Sequence, residues 1–291
     1  MQSCRYIIDL HVHSTASDGS LSPAQVAELG KAKNLSAIAL TDHDTMAGVA
    51  ECQKRGEEIG LEVIPGVEMS CVYREQEIHI LGYLLPPGFP KNTFLRAQEI
   101  FSDLAYFARE RENRNAEILR RFERDGIHIS REDLLEGSAP NTQITRAHFA
   151  KALVKMGLVK ERKEAFEYYL VYGGTYIPVK TVTIEKTMDF FKKHGFFISL
   201  AHPLQYGFPQ EELEELLGLL KEMGMQGMET YYSAYDEAQT AFLLDLSRKY
   251  SLIKTGGSDF HGVNKPGLEL GTGYGGLKVP GLCLEEMKKG I

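Results

Sequence analysis

A chain of 291 residues is long enough for one large α/β domain or two ordinary ones, with ample surface to bury a core. Its 43% hydrophobic and 25% charged content is that of a globular protein, and the net charge of −7 argues against a broad non-specific nucleic-acid surface. No apolar run is long enough to span a bilayer, so a membrane role is not expected.

The N-terminal residues Met1 to Asp9 turn polar too soon for a signal peptide. Cys4, Cys52, Cys71 and Cys283 are scattered, without the spacing of a disulfide frame or a thiolate zinc site. A cytoplasmic protein with reduced thiols is the expectation.

In chain order, Tyr6 to Val12 reads as a strand. Ser22-Pro23 supplies an N-cap and a first-turn proline for a helix over Ala24 to Ala32. Ser36 to Leu40 is a short buried strand, followed by a helix from about Ala47 to Ile59 and strands at Leu61 to Ile64 and Ile78 to Leu85. Pro86-Pro87-Gly88-Phe89-Pro90 then punctuates the chain. From Thr93 to Tyr172 the pattern is helical and highly charged, as in Arg109-Glu110-Arg111-Glu112-Asn113-Arg114, and such a run reads as a solvated helix face. Gly173-Gly174 closes it. Alternation resumes with a strand at Phe196 to Leu200, a helix at Glu211 to Lys221 and a strand at Gln226 to Tyr231. A helix at Asp236 to Tyr250 and a strand at Ser251 to Thr255 complete it. This order predicts a mostly parallel α/β sheet, open or closed into a barrel, formed by residues 1–92 and 173–291, with 93–172 as a helical insertion that caps the substrate.

Six of the nine histidines sit in segments that read as strand ends, most with a carboxylate nearby. They are Asp9-Leu10-His11-Val12-His13, Thr41-Asp42-His43-Asp44, His79, Ala201-His202-Pro203 and Ser258-Asp259-Phe260-His261. Residues two apart on a strand point the same way, so His11 and His13 converge, as do Asp259 and His261. Glu68 and Glu229 also fall at predicted strand ends, where parallel α/β folds carry their functional face. Clustered imidazoles and carboxylates suit divalent Zn, Mn or Fe and point to hydrolysis.

These segments, with Ser14-Thr15, Ser17-Asp18-Gly19 and Gly66-Val67-Glu68, resemble the PHP (polymerase and histidinol phosphatase) family. Length, the central insertion and Ile144-Thr145-Arg146-Ala147-His148-Phe149 are most similar to its nucleoside 3′,5′-bisphosphate phosphatase branch, some members of which trim RNA from the 5′ end. The resemblance implies a distorted (βα)7 barrel with two to three divalent ions (Mn, Fe or Zn) at its mouth. It implies that His11, His13, Glu68 and Asp259 hold one metal, that Glu68 bridges to a second held by His79 and His202, and that Asp18, His43 and His261 hold a third. A bridging hydroxide would then be the nucleophile, with Asp18, His43 and His261 counted as catalytic. Three carboxylates against up to three dications leave about three positive charges, which favours a phosphate dianion.

Asp9, Asp42, Asp44 and Glu229 are expected to brace the ligands, either by accepting an imidazole N–H or by capping a turn. Arg146 is the best candidate for an uncleaved phosphate, since guanidinium pairs bidentately with phosphate oxygens, and His148 and Lys180 are its expected helpers. Leu204-Gln205-Tyr206 stand where relatives carry a basic residue. Tyr231, Tyr232 and Tyr235 could stack on a base or simply pack. The expected activity is phosphomonoester hydrolysis on small nucleotides, with short RNA as a further substrate and no duplex DNA. The alternatives are histidinol-phosphate phosphatase, a polymerase proofreading module and a non-catalytic metal-binding module.

Overall fold

The computed structural model describes residues 6–85, 93–138 and 142–290. The proline-rich punctuation at 86–90 and Cys4 lie outside the described residues. The barrel strands are β1 (Ile7–Val12), β2 (Ala37–Leu40), β3 (Glu62–Tyr73), β4 (Gln76–Tyr83), β5 (Phe197–Leu200), β6 (Gly227–Tyr232), β7 (Ile253–Gly257) and β8 (Val279–Pro280). Helices α1 (Pro23–Ala32) and α2 (Val49–Ile59) follow β1 and β2. Between β4 and β5 run α3 (Thr93–Arg124), α4 (Arg131–Leu135), α5 (Arg146–Lys155), α6 (Arg162–Tyr168) and α7 (Ile184–His194). Helices α8 (Gln210–Glu222), α9 (Glu237–Lys249) and α10 (Leu282–Lys289) complete the set.

The sheet order is β7-β6-β5-β4-β3-β2-β1-β8. Its ends meet. The His13 amide donates to the Phe260 carbonyl at 2.9 Å and the Asp259 amide to the His11 carbonyl at 2.8 Å, which brings the end of β7 onto β1. The start of β1 pairs instead with β8, Ile8 opposite Val279. The result is a nearly closed barrel.

The distorted barrel forms as expected, with the two-residue β8 as an eighth strand beside β1 and with β4 and β8 antiparallel to their neighbours. Strand β3 does not stop at Ile64 but runs on through Pro65-Gly66 to Tyr73. It turns back into β4 at Arg74-Glu75, both in the left-handed region (φ 45° and 65°), the geometry of a tight hairpin. A hairpin this short cannot supply the crossover that a parallel neighbour requires. Helices α7 and α10 and strand β8 have no counterpart among the expected elements. Helix α7 carries legible end signals, Thr183 capping the Lys186 amide and Gly195 left-handed at its C-terminus.

The Ser22 cap forms as expected, as a reciprocal capping box with Gln25. The helices between β4 and β5 contribute to two cores. Ile100, Leu104 and Phe107 of α3 pack into the barrel core. From Ile118 and Phe122 onward the helices pack around their own cluster, which extends to Ile177. Cys52, Cys71 and Cys283 are free and buried. Among the described residues no helix is long and apolar enough to cross a membrane.

Candidate metal centre

The barrel mouth is built by loops that turn sharply as soon as a strand ends. Asp44 (φ 51°), His202 (φ 27°) and Asp259 (φ 57°) all sit in the left-handed region just past β2, β5 and β7. Such a conformation typically costs a non-glycine residue about 1–3 kcal/mol and persists only where the surroundings dictate it. Here they do. The Asp44 amide donates to the Glu68 carbonyl at 2.9 Å, and the His202 amide to Glu229 Oε2 at 2.7 Å. Gly257 allows the closure, since a Cβ there would lie 2.4 Å from the His11 amide nitrogen.

Glu68 is the hub. Its Oε1 lies 3.3 Å from His11 Nε2, 2.9 Å from His79 Nδ1 and 3.1 Å from His202 Nε2. Its Oε2 lies 3.3 Å from His13 Nε2 and 2.9 Å from His43 Nδ1. Asp259 Oδ1 stands 3.3 Å from His13 Nε2 and 3.6 Å from His11 Nε2. Asp18 Oδ1 stands 3.2 Å from His261 Nε2, with His43 Nε2 3.8 Å from its Oδ2. The structure therefore brings all nine expected ligands together. They form four overlapping groups of potential donor atoms, with His11, His13, His43 and Glu68 each belonging to two.

His79 reaches the mouth by a route other than a strand end. Because β4 is antiparallel, its N-terminal half lies there, and His79 sits beside Ser70 of β3 in mid-strand. Glu68 is likewise inside β3 rather than beyond it.

Divalent ions fit this cluster. His11 Nε2, His13 Nε2, His43 Nδ1, Glu68 Oε2 and His202 Nδ1 are buried without a hydrogen-bond partner, a costly state that metal coordination removes. Electrostatics agree. Burial opposes charge on His13, yet the Asp259 and Glu68 carboxylates beside it raise it to about 9. His79 rises to about 8 against the same burial, through Glu68. His43, for which burial prevails, falls to about 4. The carboxylates thus favour positive charge at His11, His13 and His79, a role that dications would take.

The bracing residues sort out cleanly. Glu229, fully buried, accepts from His11 Nδ1 at 3.2 Å and so aims His11 Nε2 at Glu68 and Asp259. The three aspartates expected beside it bond elsewhere. A bulge between Asp9 and Val12 interrupts the alternation of β1, and Asp9 accepts from the Ser258 amide (2.8 Å) and the Gly271 amide (2.8 Å), not from an imidazole. Its carboxyl is pushed up to about 6 by burial. Asp42 accepts from the Ser14 amide at 2.8 Å and Ser17 Oγ at 2.6 Å, shaping the loop that carries Asp18. Asp44 accepts from the Ser70 amide at 2.8 Å and Arg111 Nε at 2.7 Å.

A cavity of about 280 Å³ opens over the centre, lined by Asp18, His43, His79, Arg114, Arg146 and Phe166 among others. Arg146 pairs with buried Glu77 at 3.0 Å. His148 does not line this cavity; its Nδ1 accepts the Thr145 amide at 3.0 Å as part of a helix cap. Lys180 is buried behind the wall, 3.3 Å from Glu77, and lines a neighbouring cavity of about 350 Å³.

Sequence reading missed Glu77, Arg111, Arg114, Arg162, Asn264 and Lys265. The charged run of α3 is not wholly solvated: Arg111 is buried against Asp44, and Arg114 is largely covered beside Glu77. A signal was present. Leu104, Phe107, Arg111, Asn115, Ile118 and Phe122 recur at helical spacing, and all are buried. Lys265 contacts Asp259, and Tyr232 Oη donates to the same carboxylate at 2.8 Å.

A nearly closed α/β barrel with six histidines and three carboxylates at one mouth is the build of a metal-dependent phosphoesterase. The chain belongs to the PHP domain family, which matches residues 9–202. It is 34% identical over 272 residues to the 5′-3′ exoribonuclease Rnm of Escherichia coli, covering 91% of this chain and 88% of that one. It is 29% identical over 266 residues to the 3′,5′-nucleoside bisphosphate phosphatase of Chromobacterium violaceum, covering 91% and 90%. A solved structure from Bifidobacterium adolescentis, assigned to the metal-dependent phosphoesterases, superposes with a TM-score of 0.79 at 27% identity, covering 97% and 96%. Fold, site and relatives agree on a hydrolase of phosphoric esters.

Proposed function

We propose that the enzyme hydrolyses a phosphomonoester of a small nucleotide, with a nucleoside 3′,5′-bisphosphate as the preferred substrate. The observation that carries this reading is a surplus of positive charge beside the histidine cluster. Among the described residues, the carboxylates in ion-pair contact with Arg111, Arg114, Arg146 and Lys180 are Asp44 and Glu77. Arg114 Nη2 is buried with no hydrogen-bond partner. Two unbalanced cations suit one phosphate dianion in addition to the one undergoing hydrolysis.

His11, His13, Glu68 and Asp259 would hold one metal, Glu68 with His79 and His202 a second, and Asp18, His43 and His261 a third, all Mn, Fe or Zn. Bound there, the ions supply Lewis acidity and a water acidic enough to ionise near neutral pH. The protein's own side chains do the positioning. His261 Nδ1 donates to the Asp259 carbonyl at 2.8 Å, which directs its Nε2 at Asp18. Glu229 does the same for His11. Arg146, about one-quarter exposed in its side chain, presents its guanidinium to the cavity while Glu77 holds it. The uncleaved phosphate would bind Arg146 and Arg114, fixing the scissile ester over the centre.

Trimming of short RNA from a 5′-phosphorylated end is a second reading, favoured by the 34% identity to an exoribonuclease. Phosphate and nucleotide release with Mn²⁺, measured on adenosine 3′,5′-bisphosphate, AMP, histidinol phosphate and a short 5′-phosphorylated RNA, separates the readings. Bisphosphate preference supports the first and processive loss of nucleotides the second. Preference for histidinol phosphate would overturn both.

A further inference from the structure

The catalytic cavity has one feature that phosphate chemistry leaves unused. Among the described residues that line it, nearly all are charged or polar, and Phe166 is the sole phenyl ring. It is 39% exposed, so part of an apolar ring stands open in a polar cavity. A part-exposed aromatic at the rim of a site full of cations is a binding surface for a flat apolar group.

Its placement is fixed on two sides. Phe166 lies on α6 one helical turn after Arg162, whose Nη1 and Nη2 donate to the Asn264 carbonyl (2.9 Å) and Oδ1 (2.7 Å). Asn264 Nδ2 in turn donates to the Asp18 carbonyl at 2.7 Å. Helix α6 is thereby fastened to the loops that carry Asp18 and His261. On the other side, the Arg146 guanidinium stands 5.9 Å from the Phe166 ring centroid. One arginine therefore touches both the aromatic surface and the phosphate-binding side of the cavity.

Tyr231, Tyr232 and Tyr235 are engaged elsewhere. None of Tyr231, Tyr232 and Tyr235 lines the cavity. Tyr232 donates to Asp259, Tyr235 Oη accepts the Leu204 amide at 2.9 Å, and Tyr231 packs against the barrel core.

We propose that Phe166 is the stacking platform for the nucleobase of the substrate, and hence the residue through which this enzyme distinguishes a nucleotide from a bare sugar phosphate. The inference rests on the nucleotide reading above and adds the group that recognises the base. Stacking is tolerant of base identity because every base has a π-face, so purine and pyrimidine nucleotides should both use it.

The test compares wild type with Phe166→Ala and Phe166→Trp on AMP and on ribose 5-phosphate, which carries the same ester without a base. Wild type should favour AMP. Phe166→Ala should raise KM for AMP by about tenfold, equal to about 1.4 kcal/mol. It should raise KM for ribose 5-phosphate far less, so that the preference for AMP shrinks, and Phe166→Trp should keep the preference. A second readout needs no turnover. Fluorescence of 1,N6-etheno-AMP should be quenched on binding to chelator-treated wild type and Phe166→Trp, and far less by Phe166→Ala. If wild type prefers AMP but Phe166→Ala changes both substrates equally, the platform assignment is wrong and the nucleotide reading stands. If wild type treats the two esters alike, the nucleotide reading itself fails.

Discussion

Removing the carboxylate of Glu229 should weaken metal binding without touching a proposed ligand. Glu229 is fully buried and accepts from His11 Nδ1 at 3.2 Å and from the His202 amide at 2.7 Å. In Glu229→Ala both donors lose their partner in a site closed to water. At about 1–3 kcal/mol for each buried unpaired group, the loss is roughly 2–6 kcal/mol, shared between folding and metal affinity. The His202 amide bond also pins a residue at φ 27°, so its loss frees that ligand to relax away from the centre. Glu229→Gln keeps the shape and one acceptor, and should give the smaller effect. Loss of such an outer partner typically costs 10–100-fold in metal affinity. Calorimetric titration of chelator-treated protein with Mn²⁺, paired with thermal melting in chelator, separates the two shares. If Glu229→Ala bound Mn²⁺ and melted as wild type does, the bracing role would be refuted.

Three more outcomes are expected. Arg146→Ala should raise KM for a nucleoside bisphosphate at least tenfold while leaving a simple aryl phosphate nearly unchanged, because only the former offers a second phosphate; equal losses in steady-state assays would remove Arg146 from that role. Adding Mn²⁺ to about 100 times its Kd should stabilise the chelator-treated protein by about 2.7 kcal/mol, a rise of several degrees in Tm, and a flat melting temperature would speak against ions in this cluster. Burial pushes the Cys52, Cys71 and Cys283 thiols up to about 12, so the folded chain keeps protons that the unfolded chain loses above its ordinary value of 9.0. Stability should therefore fall as pH rises from about 9 toward 12, by as much as about 1.4 kcal/mol per pH unit for each thiol. Native protein should also resist thiol alkylation at pH 8; prompt labelling of any of the three would contradict their burial.

The clustering of the histidines and carboxylates was legible because metal chemistry demands rare residue types in close pairs, such as His11-Val12-His13 and Asp259-Phe260-His261. Position along a strand was less legible. Pro65 and Gly66 look like a break, yet they lie inside β3, since Leu40 pairs with Pro65 across a parallel ladder and the Pro65 carbonyl accepts the Leu84 amide. Bulges defeat simple alternation, which is why Asp9 left the face it was expected to share. The arginine-lined wall was hidden for a different reason. Arg111, Arg114 and Glu77 are separated in sequence, and only folding supplies the partners that make burying their charges tolerable. His148 shows the converse: a histidine two residues from an arginine looked like a phosphate pair, but it caps a helix.

The most direct test is phosphate release from adenosine 3′,5′-bisphosphate by chelator-treated protein titrated with Mn²⁺, alongside Asp259→Ala. Hydrolysis should be absent without metal, should rise to a plateau as Mn²⁺ binds, and should not return in Asp259→Ala although that variant still folds. Stoichiometric metal uptake with no phosphate released would contradict the account, leaving a metal-binding barrel without the proposed reaction.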